Sequence, residues 1–419
     1  MKTFWKIWLF LLPIFLPLYV VRFNIGPLPT TLLEIFIVVS FAIWIVFRKT
    51  SVIRKTHDTS FAKEATNGPL VKGGKGGLWF YPIIIWLLAT LIAVLIAQDK
   101  WGALGYWRAF MLEPILIFVM FADLIPPTPL NKGGANGKWV MFGIAAVTIA
   151  LGVYSIIQYF TGFGIPAPWD AIPGRRATGV FGFPNGLSLF MAPFGIACFI
   201  EWLIPPTPLN KWGASRWLFL LAALFAFISE ILAQSMGGLL AFGIGIVLVL
   251  LIKKSTRKLG LIVTTIGAIA ACLVGYKILS TQLRSTDLND SLALNKRWSS
   301  MVRTVIWSES WELIKAHPLT GTGLRSYQTA IIPFHKATWM EIYPHPHNII
   351  LMLWIETGLL GLLAFAWLCV TWIMAVKKNK NWLWLVPLVV ILVHGMVDMP
   401  YFKNDLAAQF WILAALATL

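Results

Sequence analysis

Charged residues are scarce in this chain. Only 12% of its 419 residues are Asp, Glu, Lys or Arg, whereas 58% are hydrophobic. Soluble domains carry roughly 25% charged residues, so the composition excludes an ordinary soluble protein. Acidic residues are scarcer than basic residues, and the net charge is +17. In a membrane chain, Lys and Arg retained in cytoplasmic loops explain such a surplus, so no nucleic-acid partner is expected.

Cysteine is also rare. Cys198, Cys272 and Cys369 each fall inside an apolar run. Three such residues exclude a secreted disulfide framework and a cysteine-based metal cluster. We expect them to be small buried hydrophobic residues.

Long apolar runs recur from one end of the chain to the other. Each is long enough to cross a hydrocarbon core of roughly 30 Å, and none alternates as a barrel strand would. Backbone groups in lipid must bond within their own segment, which requires helices. The predicted fold class is therefore all-α, a polytopic integral membrane protein with about twelve transmembrane helices and one long periplasmic loop. The spans are predicted near 5–21, 30–47, 78–97, 106–124, 138–160, 183–203, 216–233, 237–252, 259–279, 348–376, 382–399 and 405–419, with 216–233 and 237–252 alternatively forming one re-entrant hairpin.

The distribution of Lys and Arg predicts the orientation. Outside the long loop, most of these residues fall in alternate segments, which the positive-inside rule assigns to the cytoplasm. Both termini are then cytoplasmic in a multi-pass membrane protein. The N-terminal apolar run is followed by no small-residue cleavage site, so we interpret it as the first helix and not as a signal peptide.

Three predicted cytoplasmic loops share an unusual composition. IPPTPLNK occurs at Ile125 and again at Ile204, and GPLVKGGKGG at 68–77 is similar. Pro, Gly and Asn suit turns and irregular structure. A docking motif is one interpretation, and insertion of repetitive sequence into permissive loops is the favoured one.

The long outer segment, 280–347, is large enough to carry a site. Its middle, 297–316, has apolar residues at helical spacing, which predicts an amphipathic helix lying on the membrane face. Pro318, Gly321 and Gly323 follow and should end it.

Arginine and histidine residues are found together on the predicted outer face. Arg175, Arg176 and Arg303 could bind phosphate, because a guanidinium group forms bidentate hydrogen bonds. His347 could take a proton from a hydroxyl near neutral pH. The alternative for the arginines is contact with lipid headgroups. His345 and His347 lack a third ligand at suitable spacing, so neither a metal nor a cofactor is expected.

Several polar residues, most of them ionisable, fall within or beside apolar runs. Such groups are candidates for function by default, for example in a transport pathway. Structural pairing is the favoured interpretation because they are few and several lie at predicted helix ends. They are Glu113, Glu230, Gln234, Glu356, His394 and Asp398.

Three blocks of sequence resemble the O-antigen ligase and O-antigen polymerase superfamily of bacterial membrane proteins. The first runs from Arg176-x-x-Gly179 to Phe183-Pro184-Asn185, and the second is Arg303-x-x-x-Trp307 with Pro318, Gly321 and Gly323 downstream. The third is His347-Asn348, nine residues, and Gly358-x-x-Gly361, with Glu356 two positions before the first glycine. The resemblance covers most of 175–400.

The resemblance implies an enzyme of the bacterial inner (plasma) membrane that moves a glycan from undecaprenyl diphosphate to an acceptor at the periplasmic face, without a metal or other cofactor. The acceptor would be lipid A-core or a similar molecule for a ligase, and another lipid-linked repeat unit for a polymerase. Arg176 (or its neighbour Arg175) and Arg303 are similar to the diphosphate-binding pair. His347 would assist the acceptor hydroxyl, Asn348 would orient that site, and Gly358 and Gly361 would allow close helix packing.

The chain departs from the family at one position. Many relatives carry Ser-Arg-Gly before a later helix, whereas this chain has Ser235-Met236-Gly237. A bicarbonate-type secondary transporter and a non-catalytic scaffold are further alternatives. The predicted domains are 1–170, N-terminal helices with loop inserts; 171–400, the ligase-like core with the 280–347 loop; and 401–419, a last transmembrane helix.

Overall fold

The structure is a computed structural model that describes residues 2–26, 28–56, 77–125, 135–204, 215–269 and 291–418. Nearly all of the repeated loop segments lie outside these ranges, as do Cys272 and the second half of the span predicted at 259–279. The described part of the chain is built mainly of helices, which confirms the predicted class of polytopic helical membrane protein.

A small antiparallel hairpin interrupts the helical pattern near the start. Its strands are β1 (Arg22–Ile25) and β2 (Leu28–Thr31), with Ile25 opposite Leu28. Gly26 at the turn has a φ of 59°, a conformation that glycine adopts without steric penalty. The sequence prediction contained no strand here, because four-residue strands are too short to show an alternating pattern.

The first half of the chain contributes helices on either side of this hairpin. A helical turn with π-type hydrogen bonds (Trp107–Leu112) joins α4 to α5, so that the two form one continuous helical segment. The helices are α1 (Lys2–Phe15), α2 (Leu32–Thr56), α3 (Phe80–Ile96), α4 (Lys100–Tyr106), α5 (Glu113–Leu124) and α6 (Ala135–Thr161).

The second half alternates long helices with shorter ones. Its longest, α13, runs across a kink at Gly358. The helices are α7 (Pro184–Leu203), α8 (Arg216–Ala233), α9 (Met236–Ile252), α10 (Lys254–Ile269), α11 (Ser291–Ala316), α12 (Tyr327–Ala330), α13 (Ile349–Asn379), α14 (Val386–Gly395) and α15 (Asn404–Ala417).

The described residues contain fewer helices long and apolar enough to cross a membrane than the twelve predicted. Among the described residues, six helical segments are long and apolar enough, and α9 with α10, bent by 105°, would make a seventh. The α3 helix and the segment Trp382–Gly395 are apolar but shorter. The number twelve is therefore not confirmed. The amphipathic helix predicted at 297–316 is confirmed as the second part of α11.

The α15 helix shows why apolar composition overestimates the number of spans. It has 14 residues, about 21 Å at 1.5 Å per residue, which is shorter than a hydrocarbon core. Every residue of α15 is buried, and the helix packs against α5 and α7. The segment predicted as a last transmembrane span thus forms a helix shorter than a hydrocarbon core and surrounded by protein, and a crossing of the membrane there is not confirmed.

Packing brings the two predicted main domains together. The α3 helix packs on α13 and α5 packs on α15, so helices from both sides of residue 170 are in contact. The α7 helix is buried on nearly all sides and packs closely on α8 and α9. The division into 1–170, 171–400 and 401–419 stays a prediction.

Candidate active site at one end of the helix bundle

His347 lies immediately before α13, at the end of the bundle where α7, α13 and α15 begin and α8 and α14 end. Its Nδ1 atom is 3.5 Å from Oδ1 of Asp398. The imidazole side chain is 20% exposed, whereas the carboxylate is 4% exposed. A carboxylate against one ring nitrogen fixes the orientation of the imidazole and leaves the other nitrogen for chemistry.

Asp398 is held by two further donors. Asn185 donates from Nδ2 to Oδ2 over 2.6 Å, and the backbone N–H of Met399 donates to Oδ1 over 2.9 Å. Burial by itself raises the pKa of Asp398, but the adjacent His347 and the other nearby imidazoles outweigh it and bring that pKa below its ordinary value. The group beside His347 is therefore a carboxylate anion.

His345 packs edge-on against His347, with ring centroids 4.3 Å apart. Burial, and then the neighbouring His347, lowers the pKa of His345 to about 4. A neutral imidazole packed beside His347 restricts its ring without adding positive charge. In the described ranges, no three His, Cys, Asp or Glu side chains form an arrangement that could hold a metal ion.

Arg176 and Arg303 lie near the histidine–carboxylate pair. Arg176 donates to the carbonyls of Ala233 and Gln234 at the end of α8, and its guanidinium stacks on Trp169. Arg303 donates from Nε to the carbonyl of Val397, the residue before Asp398. Burial, followed by the positive charge of Arg303, lowers the pKa of Arg176, so the two guanidinium groups act on each other electrostatically. Such a pair attracts a multiply charged anion.

Arg175 points toward the end of α6. Its guanidinium donates to the carbonyls of Asp170, Tyr159 and Phe160 at distances of 3.0–3.3 Å. These contacts close the loop after α6. Of the two adjacent arginines, Arg176 is the one that the structure brings close to Arg303.

Asn348 forms the N-terminal cap of α13. Its Oδ1 accepts from the N–H groups of Ile350 and Leu351 at 3.0 and 3.1 Å, and its Nδ2 donates to the carbonyl of Met396 at 3.0 Å. Its amide thus joins the start of α13 to the segment that carries Asp398 and fixes the residue next to His347.

Gly358 lies against the backbone of the loop residues Leu319 and Thr320, and its role in close helix packing stays a prediction. It has a φ of 68° and kinks α13. A Cβ atom on Gly321 would lie 2.7 Å from the Gly358 nitrogen, and the Leu359 N–H donates to the Leu319 carbonyl. Gly361 packs instead on Thr357 of its own helix.

Gly323 and Glu356 complete this joint between the loop and the helices. A Cβ atom on Gly323 would lie 2.5 Å from the backbone nitrogen of Ala97, just beyond α3. The buried carboxylate of Glu356 accepts from the backbone N–H of Tyr327 at 3.4 Å. The second and third sequence blocks are therefore adjacent in space. Together they attach the loop that follows α11 to α3 and α13.

Residues 221–366 match a family described as O-Antigen ligase. The matched segment contains Arg303, His347, Gly358 and Gly361. This segment of the chain is therefore similar to the O-antigen ligase family. Arg176, Asn185 and Asp398 lie outside the matched segment, and the fold brings them to the residues inside it.

Two curated relatives carry the name "Putative polysaccharide ligase". One, from Rickettsia conorii, is 26% identical over 209 residues, or 48% of this chain and 50% of that protein. The other, from Rickettsia felis, is 26% identical over 178 residues, or 40% of this chain and 42% of that protein. The chain thus spans about half the length of the curated relatives that it matches.

The departure from the superfamily pattern lies close to the site. Met236 begins α9 and is 64% exposed, two positions after Gln234, whose carbonyl accepts from Arg176. Relatives that carry arginine at this position would add a further positive charge to the same end of the bundle.

Asp398 and Asn185 are the residues whose roles sequence reasoning missed. Asp398 was predicted only as one of several ionisable groups beside apolar runs, and Asn185 only as part of a motif. The available signal was an acidic residue at the end of an apolar segment, which is costly unless it has a partner.

Proposed function

We propose that this protein transfers a glycan from undecaprenyl diphosphate to an acceptor hydroxyl, on lipid A-core or a similar molecule, at the periplasmic face of the bacterial inner membrane. The observation that carries the proposal is the contact of His347 with Asp398, with two arginines beside this pair: Arg303 donates to the carbonyl before Asp398, and Arg176 donates to Asn185, which in turn donates to Asp398. A proton acceptor and an anion-binding pair are the parts that transfer from a diphosphate-linked donor requires.

The reaction follows from these parts. The acceptor hydroxyl oxygen forms a bond to the anomeric carbon of the glycan as its proton passes to Nε2 of His347. The bond between that carbon and the diphosphate oxygen breaks, and undecaprenyl diphosphate leaves with the electron pair. Asp398 stabilises the imidazolium that forms, because its carboxylate faces Nδ1.

Arg176 and Arg303 would stabilise the departing diphosphate. The two guanidinium groups would bind the diphosphate of the donor, and they would also stabilise the charge that develops on the leaving oxygens. Arg176 is held by backbone carbonyls and by Trp169, and Arg303 by the Val397 carbonyl. Fixed donors of this kind need little reorganisation during the reaction.

A ligase and a polymerase would use the same donor chemistry and differ in the acceptor. The names of the two relatives favour a ligase. Transport is less favoured because the residues it would need have structural partners. Glu113 pairs with Arg108 at 3.2 Å, and Glu230 accepts a hydrogen bond from Ser188.

The test is complementation by His347→Ala in a strain that lacks its own surface-glycan ligase or polymerase, after the wild-type chain has restored long glycan there. We expect the variant to reach the membrane at the wild-type level and to give no long glycan on a gel. Accumulated lipid-linked polymer would indicate a ligase, and single repeat units a polymerase. His317→Ala, on an exposed residue of the same outer segment, is the control. Wild-type glycan from His347→Ala would refute the proposal.

A further inference from the structure

His347 has a backbone conformation that its residue type rarely adopts. Its φ is 50°, in the left-handed region. Strain of this kind persists only where the surroundings determine the conformation from several sides, and it is concentrated at functional sites. The contacts on both sides of His347 are therefore part of what places the imidazole.

Both neighbours of His347 are fixed by side-chain hydrogen bonds. After it, Asn348 caps α13 and reaches the Met396 carbonyl. Before it, the carbonyl of Pro346 accepts a hydrogen bond from the indole Nε1 of Trp307 over 3.0 Å. Trp307 is half-buried on α11. A helix that is distant in sequence therefore fixes the residue that precedes His347.

The α11 helix fixes the other member of the pair in the same way. Arg303, one turn before Trp307, donates to the carbonyl of Val397, the residue before Asp398. Residues four apart lie on one face of a helix. One face of α11 therefore holds the backbone directly before both His347 and Asp398.

Further contacts make α11 a firm support. Leu313 and Ile314 are buried against Met352 and Ile355 of α13. Glu309 accepts from the backbone N–H groups of Lys336 and Ala337 at 2.8 and 3.3 Å. The segment that leads to His347 is thus attached to α11 near its start and again at Pro346.

We propose that Trp307 is a positioning residue for His347, and that its indole N–H keeps the imidazole against Asp398. The Nδ1–Oδ1 separation of 3.5 Å is longer than an ordinary hydrogen bond, so a small shift of the Pro346–His347 peptide would separate the imidazole from the carboxylate. This role rests on the proposed function, in which His347 accepts the proton, although the placement of His347 can be measured without any transfer.

The experiment uses the full chain in lipid nanodiscs and diethyl pyrocarbonate as the probe of imidazole accessibility. Modification of His347 is followed by peptide mass spectrometry, with exposed His317 as the internal reference. The variants are Trp307→Phe, which keeps a ring but removes the donor, and Trp307 replaced by β-(3-benzothienyl)alanine, which keeps the shape and has sulfur in place of N–H. Trp354→Phe is the matched control, since it removes an indole bond to the Pro318 carbonyl.

With either Trp307 replacement, we expect His347 to react at least about threefold faster than in wild type and long glycan to fall about tenfold, because catalysis is sensitive to misplacement of less than about 1 Å. Trp354→Phe should match wild type in both measurements. Unchanged His347 reactivity, unchanged glycan, or equal changes in the Trp354 control would each overturn the inference. Wild-type glycan from His347→Ala would instead remove the proposed function, and the reactivity of His347 would still decide whether Trp307 holds it.

Discussion

Asn185 and Asp398 are joined by a 2.6 Å hydrogen bond from the amide Nδ2 to the carboxylate Oδ2. The same carboxylate faces Nδ1 of His347 through its other oxygen. The start of α7, the segment after α14 and the start of α13 therefore meet at one carboxylate. This arrangement makes Asp398 the centre of the candidate site.

Replacing Asp398 with Asn should reduce glycan transfer at least about tenfold, because the side chain keeps its shape but no longer stabilises an imidazolium. Initial rates of transfer in membrane vesicles would measure the effect. Asp123→Asn is the control, since Asp123 accepts from Trp44 at 3.0 Å, away from the candidate site. A wild-type rate for Asp398→Asn would show that His347 acts without its carboxylate.

Arg176→Lys should raise the donor KM about tenfold, since a hydrogen bond to a charged group contributes roughly 1.5–3 kcal/mol. A lysine cannot contact the Ala233 carbonyl and a diphosphate together through one forked group. Transfer rates across a range of donor concentrations would measure KM. Arg257→Lys is the control. Arg257 follows α9 and donates to the carbonyl of Leu251 near the end of that helix, so its replacement should leave the donor KM as in wild type. An unchanged KM for Arg176→Lys would argue against donor binding by Arg176.

Gly321→Ala should destabilise the protein by about 2–4 kcal/mol, from left-handed backbone strain and from overpacking. Gly321 has a φ of 64°, and its Cβ would contact the Ile355 carbonyl and the Gly358 nitrogen. Thermal unfolding in detergent should show a lower midpoint. Gly243→Ala on α9, where a Cβ would meet nothing within 4 Å, should not lower it. Equal midpoints for the two variants would contradict the close contact of the loop with α13.

The attachment of the loop at His335 should weaken as pH rises. Its Nδ1 lies 3.0 Å from Glu309 Oε2 and its Nε2 lies 3.1 Å from the Met340 carbonyl, so both nitrogens face acceptors. The hydrogen bond with Glu309 raises the pKa of His335 above its ordinary value. A group with a raised folded pKa contributes its full stabilisation below its unfolded pKa of about 6.5 and loses it as pH rises through the folded value.

Hydrogen exchange at the amides of Lys336 and Ala337 would measure this change. After correction for the intrinsic dependence of exchange on pH, protection should fall as pH rises above about 6.5 in the wild type. In Glu309→Gln it should be low and independent of pH. Constant protection in the wild type would contradict a charged His335–Glu309 pair.

Glu230→Gln should leave glycan output within about twofold of wild type, because the amide can still accept the hydrogen bond from Ser188. Glu230 is buried on α8, where a transporter would use a carboxylate to carry charge. Glycan on a gel and uptake of labelled bicarbonate would be compared in the same cells. Transport would be favoured over glycan transfer if Glu230→Gln lost bicarbonate uptake while glycan stayed unchanged in both Glu230→Gln and His347→Ala.

Sequence alone determined the helical membrane class and the position of most helices. Apolar runs of sufficient length leave the backbone one way to satisfy its hydrogen bonds in lipid, so α6, α7, α8 and α13 lie close to their predicted ranges. The helix predicted at 297–316 was also found, because apolar spacing reports one buried face. Arg303 and His347 could be selected because charged or titratable side chains are rare in such a composition.

Tertiary structure decided what those residues touch. Apolar composition does not distinguish a lipid-facing helix from one surrounded by protein, so α15 was predicted as a span although it lies in the core. Likewise, the close contact of Gly321 with Gly358 requires the loop backbone to pack against the backbone of α13. A local sequence pattern cannot predict which distant segment makes such a contact. The contact of Asp398 with Asn185 and His347 joins segments far apart in sequence. It exists because a buried carboxylate must find partners, and only the packing of α7, α13 and α14 determines which partners are within reach.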